Sequence, residues 1–261
     1  MTNRRRVRVV LAVVSVTFLS LAPLALAADD VKAFAMRMDE LWTKRGDPKA
    51  VEESIETGKK ALALDPQNYE AVWRLALVYW WKGQLNRDKE VRKTVGLEGM
   101  KYGELAIKLN PERAEGHLMY ALAIGNYSYG VSIATAVFQG LASKFEQAAL
   151  KAYELDKHLD DGAPMVALGR YYQQLPWPLR DKKKALQYLE EAKRSHPNNL
   201  RGRLHLAEAY LDLGEKEKAK TELEFVLKAE VPSENEPEAA IVKELARKDF
   251  SAWFPHEAGG K

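Results

Sequence analysis

The chain of 261 residues contains no cysteine. Disulfide staples, thiol nucleophiles and thiolate metal sites are therefore excluded, as is a lipid anchor on a cysteine at a processed N-terminus. Histidine is sparse: His117, His158, His196, His205 and His256 are scattered, with no H-E-x-x-H and no paired ligand spacing. G-x-S-x-G, the P-loop and G-x-G-x-x-G are missing, and the glycines at 116, 125, 130 and 140 stand too far apart to cradle a phosphate. DKHLDD at 156–161 lacks calcium-loop spacing, and its Asp160 or Asp161 fits a helix N-cap better. Alternating β-branched runs joined by Asn-Gly turns are absent too, which leaves an all-α chain. No convergent acid–base set can be assembled, so the expectation is a non-enzyme without cofactor or metal.

Long apolar runs are also few. The first 27 residues, MTNRRRVRVVLAVVSVTFLSLAPLALA, carry Arg4, Arg5, Arg6 and Arg8 ahead of an apolar stretch, then Pro23 and the small-x-small pattern Ala25-Leu26-Ala27. This is the layout of a secretory signal peptide cut after Ala27. Ser15, Thr17, Ser20 and Pro23 interrupt the ~20 apolar residues that a membrane span would need. The paired arginines raise twin-arginine export as a further route. Loss of residues 1–27 removes four arginines and no acid, so the formal charge of +3 becomes −1. No global field then favours nucleic acid or anionic lipid. The expectation is an exported protein, periplasmic in a bacterium, with no stable membrane span once the signal is cut.

What is abundant is helical periodicity. In PNNLRGRLHLAEAYLDLGEKEKAKTELEFVL, Leu206, Ala207 and Tyr210 fall on one helix face, Gly214 closes a turn, and Ala219, Leu223 and Val226 fall on the facing helix. Small residues at the end of successive second helices, Ala61, Ala106, Ala152, Ala192 and Val226, are separated by 45, 46, 40 and 34 residues. Pro66, Pro111 and Pro197 stand where second helices must stop. With Leu75, Ala76 and Tyr79, and Leu168, Gly169 and Tyr172, in the same register, the chain resembles tetratricopeptide repeats of 34 residues over roughly 32–230. The resemblance implies a helical-hairpin solenoid: about five hairpins over 28–230, a capping helix over 231–254 and a tail over 255–261.

The residues in excess of 34 fall near 82–96, 125–140 and 173–182, each between the first and second helix of a hairpin. These junctions share one edge of a solenoid, where insertions often mark a binding face. That edge gathers Trp80, Trp81, Tyr127, Tyr129, Pro176 and Trp177, rigid groups of the kind concentrated in hot spots. The alternative is that the rings pack against their own lengthened helices. The inner groove offers a second surface, with Trp73, Gln173 and Glu208 and with Arg170 and Arg201 spaced to hold a carboxylate. The alternative there is that both arginines pair with neighbouring glutamates.

FEQAALKAYELD, LGRYYQQLPWP and KKALQYLEEA resemble the T-component of TRAP transporters, a periplasmic helical-repeat partner of the solute-binding subunit. ALGRYY followed by a Pro/Trp insertion is also similar to the repeat domain of the regulator-of-microtubule-dynamics family. These resemblances imply a non-catalytic protein that binds a protein or peptide partner in the envelope, with a role as an accessory to solute transport. The other reading is a carrier for a small apolar or acidic ligand, a lipid or an organic acid. A protein partner requires an open groove, and a solute requires a closed pocket.

Overall fold

The computed structural model describes residues 22–255, with side chains from residue 30. The expected export signal therefore lies mostly outside the described residues, as does the tail from residue 256. Twelve α-helices and no strand occur among the described residues.

Five helical hairpins are stacked in chain order. The first is α1 (Ala22–Thr43) with α2 (Pro48–Leu64), and the second is α3 (Tyr69–Gln84) with α4 (Lys89–Leu109). The third is α5 (Ala114–Val131) with α7 (Leu141–Asp156), separated by the short α6 (Ile133–Phe138). Then come α8 (Leu159–Gln174) with α9 (Lys182–Ser195), and α10 (Leu200–Asp212) with α11 (Lys216–Lys228). A single helix, α12 (Glu236–Trp253), ends the array.

The sequence marks these boundaries chemically. Asp47, Asn68, Asp88, Asp181 and Asn199 precede α2, α3, α4, α9 and α10, and each side chain accepts a hydrogen bond from a backbone N–H of the first turn. Such caps satisfy donors that a helix start would otherwise leave open. Pro66, Pro111 and Pro197 follow the last turns of α2, α4 and α9, where a proline prevents continuation. Gly214 adopts φ 81°, the left-handed conformation that closes the α10–α11 turn.

The three enlarged junctions take different forms. The residues near 82–96 mostly lengthen α4, those near 125–140 extend α5 and form α6, and those near 173–182 make the loop between α8 and α9. Long α4 and α5 pack unusually closely because Gly96, Gly99 and Gly103 form a stripe facing α5. A Cβ on Gly96 would lie 2.5 Å from the Tyr127 backbone nitrogen, and one on Gly103 would lie 2.7 Å from Tyr120 Cα. The same closeness is met from the other side, where a Cβ on Gly130 would come within 2.6 Å of Lys93 N.

One core runs from Met38 through the hairpins to Ala185, and a second joins α10, α11 and α12 through Leu206, Leu223, Val242 and Ala246. The array also curls back on itself. Arg87, after α3, forms an ion pair with Glu244 of α12 at 2.5 Å. Gln84 at the end of α3 accepts from Arg201 of α10 at 3.3 Å, and Arg45 of the α1–α2 turn donates to Asn235, just before α12, at 3.5 Å. The last helix thus meets the first two hairpins, and the concave side becomes an interior. No helix among the described residues is long and apolar enough to cross a membrane.

Candidate functional site

Curling of the array leaves a partly open cavity of about 510 Å³, inside the roughly 300–1,000 Å³ range of small-ligand sites. Its wall is divided by chemistry. On one side α6, α7 and the end of α8 contribute Ile133, Val137, Leu141, Phe145, Tyr171 and Leu175. Phe145 stacks on Tyr171 at 4.9 Å, so this side is a packed apolar surface. The lining also carries four guanidinium groups, those of Arg45, Arg92, Arg170 and Arg201.

Two of these have no carboxylate within ion-pair distance among the described residues. Arg45 is 4% exposed. It donates from Nη1 to the Trp42 carbonyl at 3.1 Å, its Nε has no partner, and its guanidinium lies 4.7 Å from the Trp42 ring centroid and 5.4 Å from that of Trp81. Arg92 donates from Nε to the Asn86 carbonyl at 2.7 Å and covers the Tyr129 ring at 5.1 Å. Burial pushes the pKa of both guanidiniums down, because each charge has lost water without gaining a close anion.

The other two are ion-paired. Arg170 bonds Glu208, donates to Gln173 Oε1 at 3.0 Å, and donates to the Tyr129 hydroxyl at 3.3 Å. Arg201 donates from Nε to Glu238 at 2.7 Å, but its buried Nη2 has no partner. Since buried donors are normally satisfied, open donors on Arg45 and Arg201 and two unpaired guanidiniums describe a place for an anion.

Acidic groups border the same interior. Asp160 and Asp161 are not N-caps. With Gly162 they form three consecutive residues of positive φ (47°, 52° and 81°), and regular α8 begins only after them. Asp160 lines the cavity while staying exposed to solvent, and partial loss of water, then the charges of Glu238 and Asp161, raises its carboxyl pKa. His205 and Glu208 form a neighbouring pair, His205 Nδ1 lying 3.0 Å from Glu208 Oε2. Burial, then the charge of Arg170, depresses the imidazole pKa to about 4, so the ring is neutral and donates to Glu208.

The sequence-derived candidates fall in different places. Trp80, Tyr129, Arg170 and Arg201 line the cavity, and Glu208 holds Arg170 from behind. Trp81 and Gln173, expected at partner-facing surfaces, are buried. Trp81 is enclosed by Trp42 and Trp80 and donates from Nε1 to the Arg45 carbonyl at 2.8 Å, while Gln173 accepts from Arg170. Tyr127 is half-buried, its backbone pressing on Gly96 of α4, the second helix of the preceding hairpin. Trp73 lies off the cavity, bonded to Glu70 at 2.9 Å and covered by Arg74 at 4.4 Å. Pro176 and Trp177 stand out in solvent, Trp177 with 89% exposure.

Sequence reasoning missed Arg45, Arg92, Asp160 and the contribution of Asn235 and Glu238. Arg45 and Asn235 lie in turns outside any helical period, and their meeting depends on curvature. Asn126 had a legible signal, a lone amide on the apolar face of α5. It is buried, donates to the Trp80 carbonyl at 2.9 Å and accepts from Gln84 at 3.0 Å, fixing α3 to α5 beside the cavity.

Comparison with known proteins is consistent with this architecture. Residues 35–175 match the family model of Regulator of microtubule dynamics protein 1-3, and residues 181–240 match a tetratricopeptide repeat model. Similar curated proteins include Regulator of microtubule dynamics protein 3 of Rattus norvegicus, 26% identical over 238 residues, covering 83% of this chain and 48% of that protein. The Mus musculus protein of that name is 26% identical over 234 residues with the same coverage. The chain thus spans about half the length of the curated relatives it matches. Among solved structures, a thermophilic TPR protein of Thermus thermophilus superposes with a TM-score of 0.59 at 15% identity, covering 88% of this chain and 99% of that one. The pilF protein of Pseudomonas aeruginosa gives 0.56 at 16% identity, covering 88% and 94%. These structures share the fold.

Proposed function

The chain belongs to the Regulator of microtubule dynamics protein 1-3 family, and from that premise we propose a non-catalytic, exported helical-repeat protein that holds one small amphipathic acid. Tetratricopeptide folds commonly serve protein–protein interaction through an open groove. Here contacts of α12 and of Asn235 just before it with the first two hairpins narrow that groove to a partly open cavity, which favours a solute over an extended peptide. The observation that carries the reading is the pairing of apolar lining with buried Arg45 and half-buried Arg92, neither with a carboxylate partner among the described residues, in one cavity. A carboxylate or phosphate would supply the missing acceptor, and an alkyl or aromatic body would occupy the wall of Val137, Leu141 and Phe145.

The leader-like residues 1–27 support export to a periplasm or envelope. Transfer of the acid to a solute-binding or transport system is the accessory role that follows. A second reading, binding of a protein partner, is favoured by one observation, the exposure of Trp177 on the α8–α9 loop.

Displacement of a fluorescent polyene fatty acid tests the cavity. Saturable one-to-one binding is expected for the full chain, reduced ~10-fold or more in Arg92→Gln, because a hydrogen bond to a charged group contributes roughly 1.5–3 kcal/mol. Trp177→Ala should bind as the parent does. Absence of saturable binding, or equal affinity in Arg92→Gln and Arg45→Gln, would remove the proposal.

A further inference from the structure

The α6–α7 and α8–α9 junctions together carry the most exposed aromatic groups of the described residues. Phe138 is 93% exposed and Trp177 89%, and Leu179 beside it is also exposed. The fold places them side by side: α7 and α8 are antiparallel, Phe145 stacks on Tyr171, and Tyr172 donates to Glu146 at 2.5 Å. Residues just before Leu141 therefore lie next to residues just after Gln174. Val137, Leu141 and Leu175 line the cavity, and the exposed Phe138 and Trp177, one and two residues beyond Val137 and Leu175, form a rim outside that lining.

The loop bearing Trp177 is well held. Leu175 is buried, the Leu179 and Arg180 amides both donate to the Pro176 carbonyl, and the Asp181 amide donates to the Tyr172 carbonyl. Arg180 bonds Asp212, and Lys182 donates to the Asp212 carbonyl at 2.7 Å. A segment so firmly anchored keeps a tryptophan in water with a proline on each side, at the cost of leaving its large apolar area uncovered.

Charge indicates what covers it. Lys182, Lys183 and Lys184 occupy the first turn of α9, with no acid among them, and all three are exposed. A helix N-terminus disfavours cations, so helix stability does not account for these lysines. None has a carboxylate partner among the described residues, and Lys144 adds a further exposed cation in the first turn of α7. Protein interfaces are depleted in lysine, whereas lysine beside tryptophan is the composition that meets an anionic bilayer, the indole at headgroup level and the ammonium groups toward phosphate.

We propose that this rim docks peripherally on an anionic lipid surface, with Trp177 and Phe138 inserted at the headgroup boundary and Lys182, Lys183 and Lys184 over it. The surface is separate from the arginines of the cavity, and the two proposals can fail independently.

Sedimentation of the full chain with vesicles is the test, comparing phosphatidylcholine alone with phosphatidylcholine containing about 30% phosphatidylserine. Binding to the anionic vesicles that weakens in high salt is expected. Replacing Lys182, Lys183 and Lys184 together by Gln should lower the partition coefficient roughly 100-fold, at about fivefold per lysine. Trp177→Ala with Phe138→Ala should lower it ~10-fold or more while far-ultraviolet circular dichroism and fatty-acid binding stay as in the parent. Arg92→Gln should sediment normally. Failure of the parent chain to sediment, or parent-like sedimentation of both surface variants, would overturn the proposal. A discrete protein captured by a photo-crosslinker at position 177, with vesicle binding indifferent to Trp177→Ala, would overturn it in favour of a protein partner.

Discussion

Replacing a helical glycine by alanine normally stabilises a helix by ~1 kcal/mol, because alanine loses less backbone freedom on folding. At Gly96 the opposite sign is expected. The new Cβ would sit 2.5 Å from the Tyr127 nitrogen and 2.7 Å from its Cα. Both are backbone atoms in the middle of α5, so no rotamer change relieves the clash. Relief requires α4 and α5 to separate by about 1 Å, which also loosens the contacts at Gly99 and Gly103. Overpacking of this kind costs about 1–3 kcal/mol and can exceed that where backbone must move. Because backbone must move, the cost lies at the top of that range, about 3 kcal/mol or more, and after subtracting the ~1 kcal/mol propensity gain Gly96→Ala should destabilise by ~2 kcal/mol or more. Gly125→Ala is the control, since its nearest new contact is Phe145 Cε2 at 3.9 Å. That variant should gain up to ~1 kcal/mol. Urea unfolding followed by circular dichroism measures both, with an unchanged m-value showing that the unfolded reference is the same. If Gly96→Ala proved as stable as the parent, the close approach of α4 and α5 would be wrong.

The two neighbouring classes of tryptophan should behave oppositely: Trp81→Ala, at a fully buried ring bonded to the Arg45 carbonyl, should cost ~3–5 kcal/mol in chemical unfolding, whereas Trp177→Ala should change stability by less than ~0.5 kcal/mol. Acid titration should show two opposed contributions. His205 is depressed to about 4, chiefly by burial, so its contribution to stability is present above the unfolded value of about 6.5 and is lost as pH falls toward 4. Asp249 is pushed up to about 6 by burial and then by Glu208, so it disfavours folding above pH 6 and this penalty disappears as pH falls toward the ordinary carboxylate range. Asp249→Asn should therefore stabilise the protein at pH 7 and steepen its loss of stability between pH 6.5 and 4, while His205→Gln should flatten that loss; stability curves that stay parallel across the series would refute both assignments.

Helix content and hairpin order were readable because they rest on local rules. The register of Leu206, Ala207 and Tyr210, the Asn199 cap and the stop at Pro197 all act within a few residues, and the structure places α10 and α9 accordingly. The location of the enlarged junctions was readable for the same reason, as a departure from a fixed period. Their form was not. Whether residues 82–96 lengthen a helix or make a loop depends on the glycine stripe and the surface it meets on α5. Trp80 and Trp81 are adjacent in sequence, yet one lines the cavity and the other is sealed behind it, a distinction of about 100° around a helix that an edge-level reading does not resolve.

The cavity was the least legible feature because it is a product of curvature. Arg45 meets Asn235 across 190 residues and Arg201 meets Gln84 across 117. No periodic signal links such positions, and small rotations accumulated over five hairpins decide whether they touch. The groove arginines Arg170 and Arg201 were legible as carboxylate-binding candidates, and the alternative that they pair with glutamates also holds, with Glu208 and Glu238. Arg170 and Arg201 lie in the lining of the partly open cavity that the curled array makes of that groove.

The central claim is that this chamber holds an amphipathic acid. The most direct measurement is mass spectrometry of small molecules extracted from the full chain purified without detergent, alongside Val137→Trp, which fills the apolar side of the chamber. The account predicts an organic acid or acidic lipid recovered at close to one per parent chain and depleted in Val137→Trp. An empty parent chain that also takes up no such acid when supplied, or equal recovery from both proteins, would contradict it.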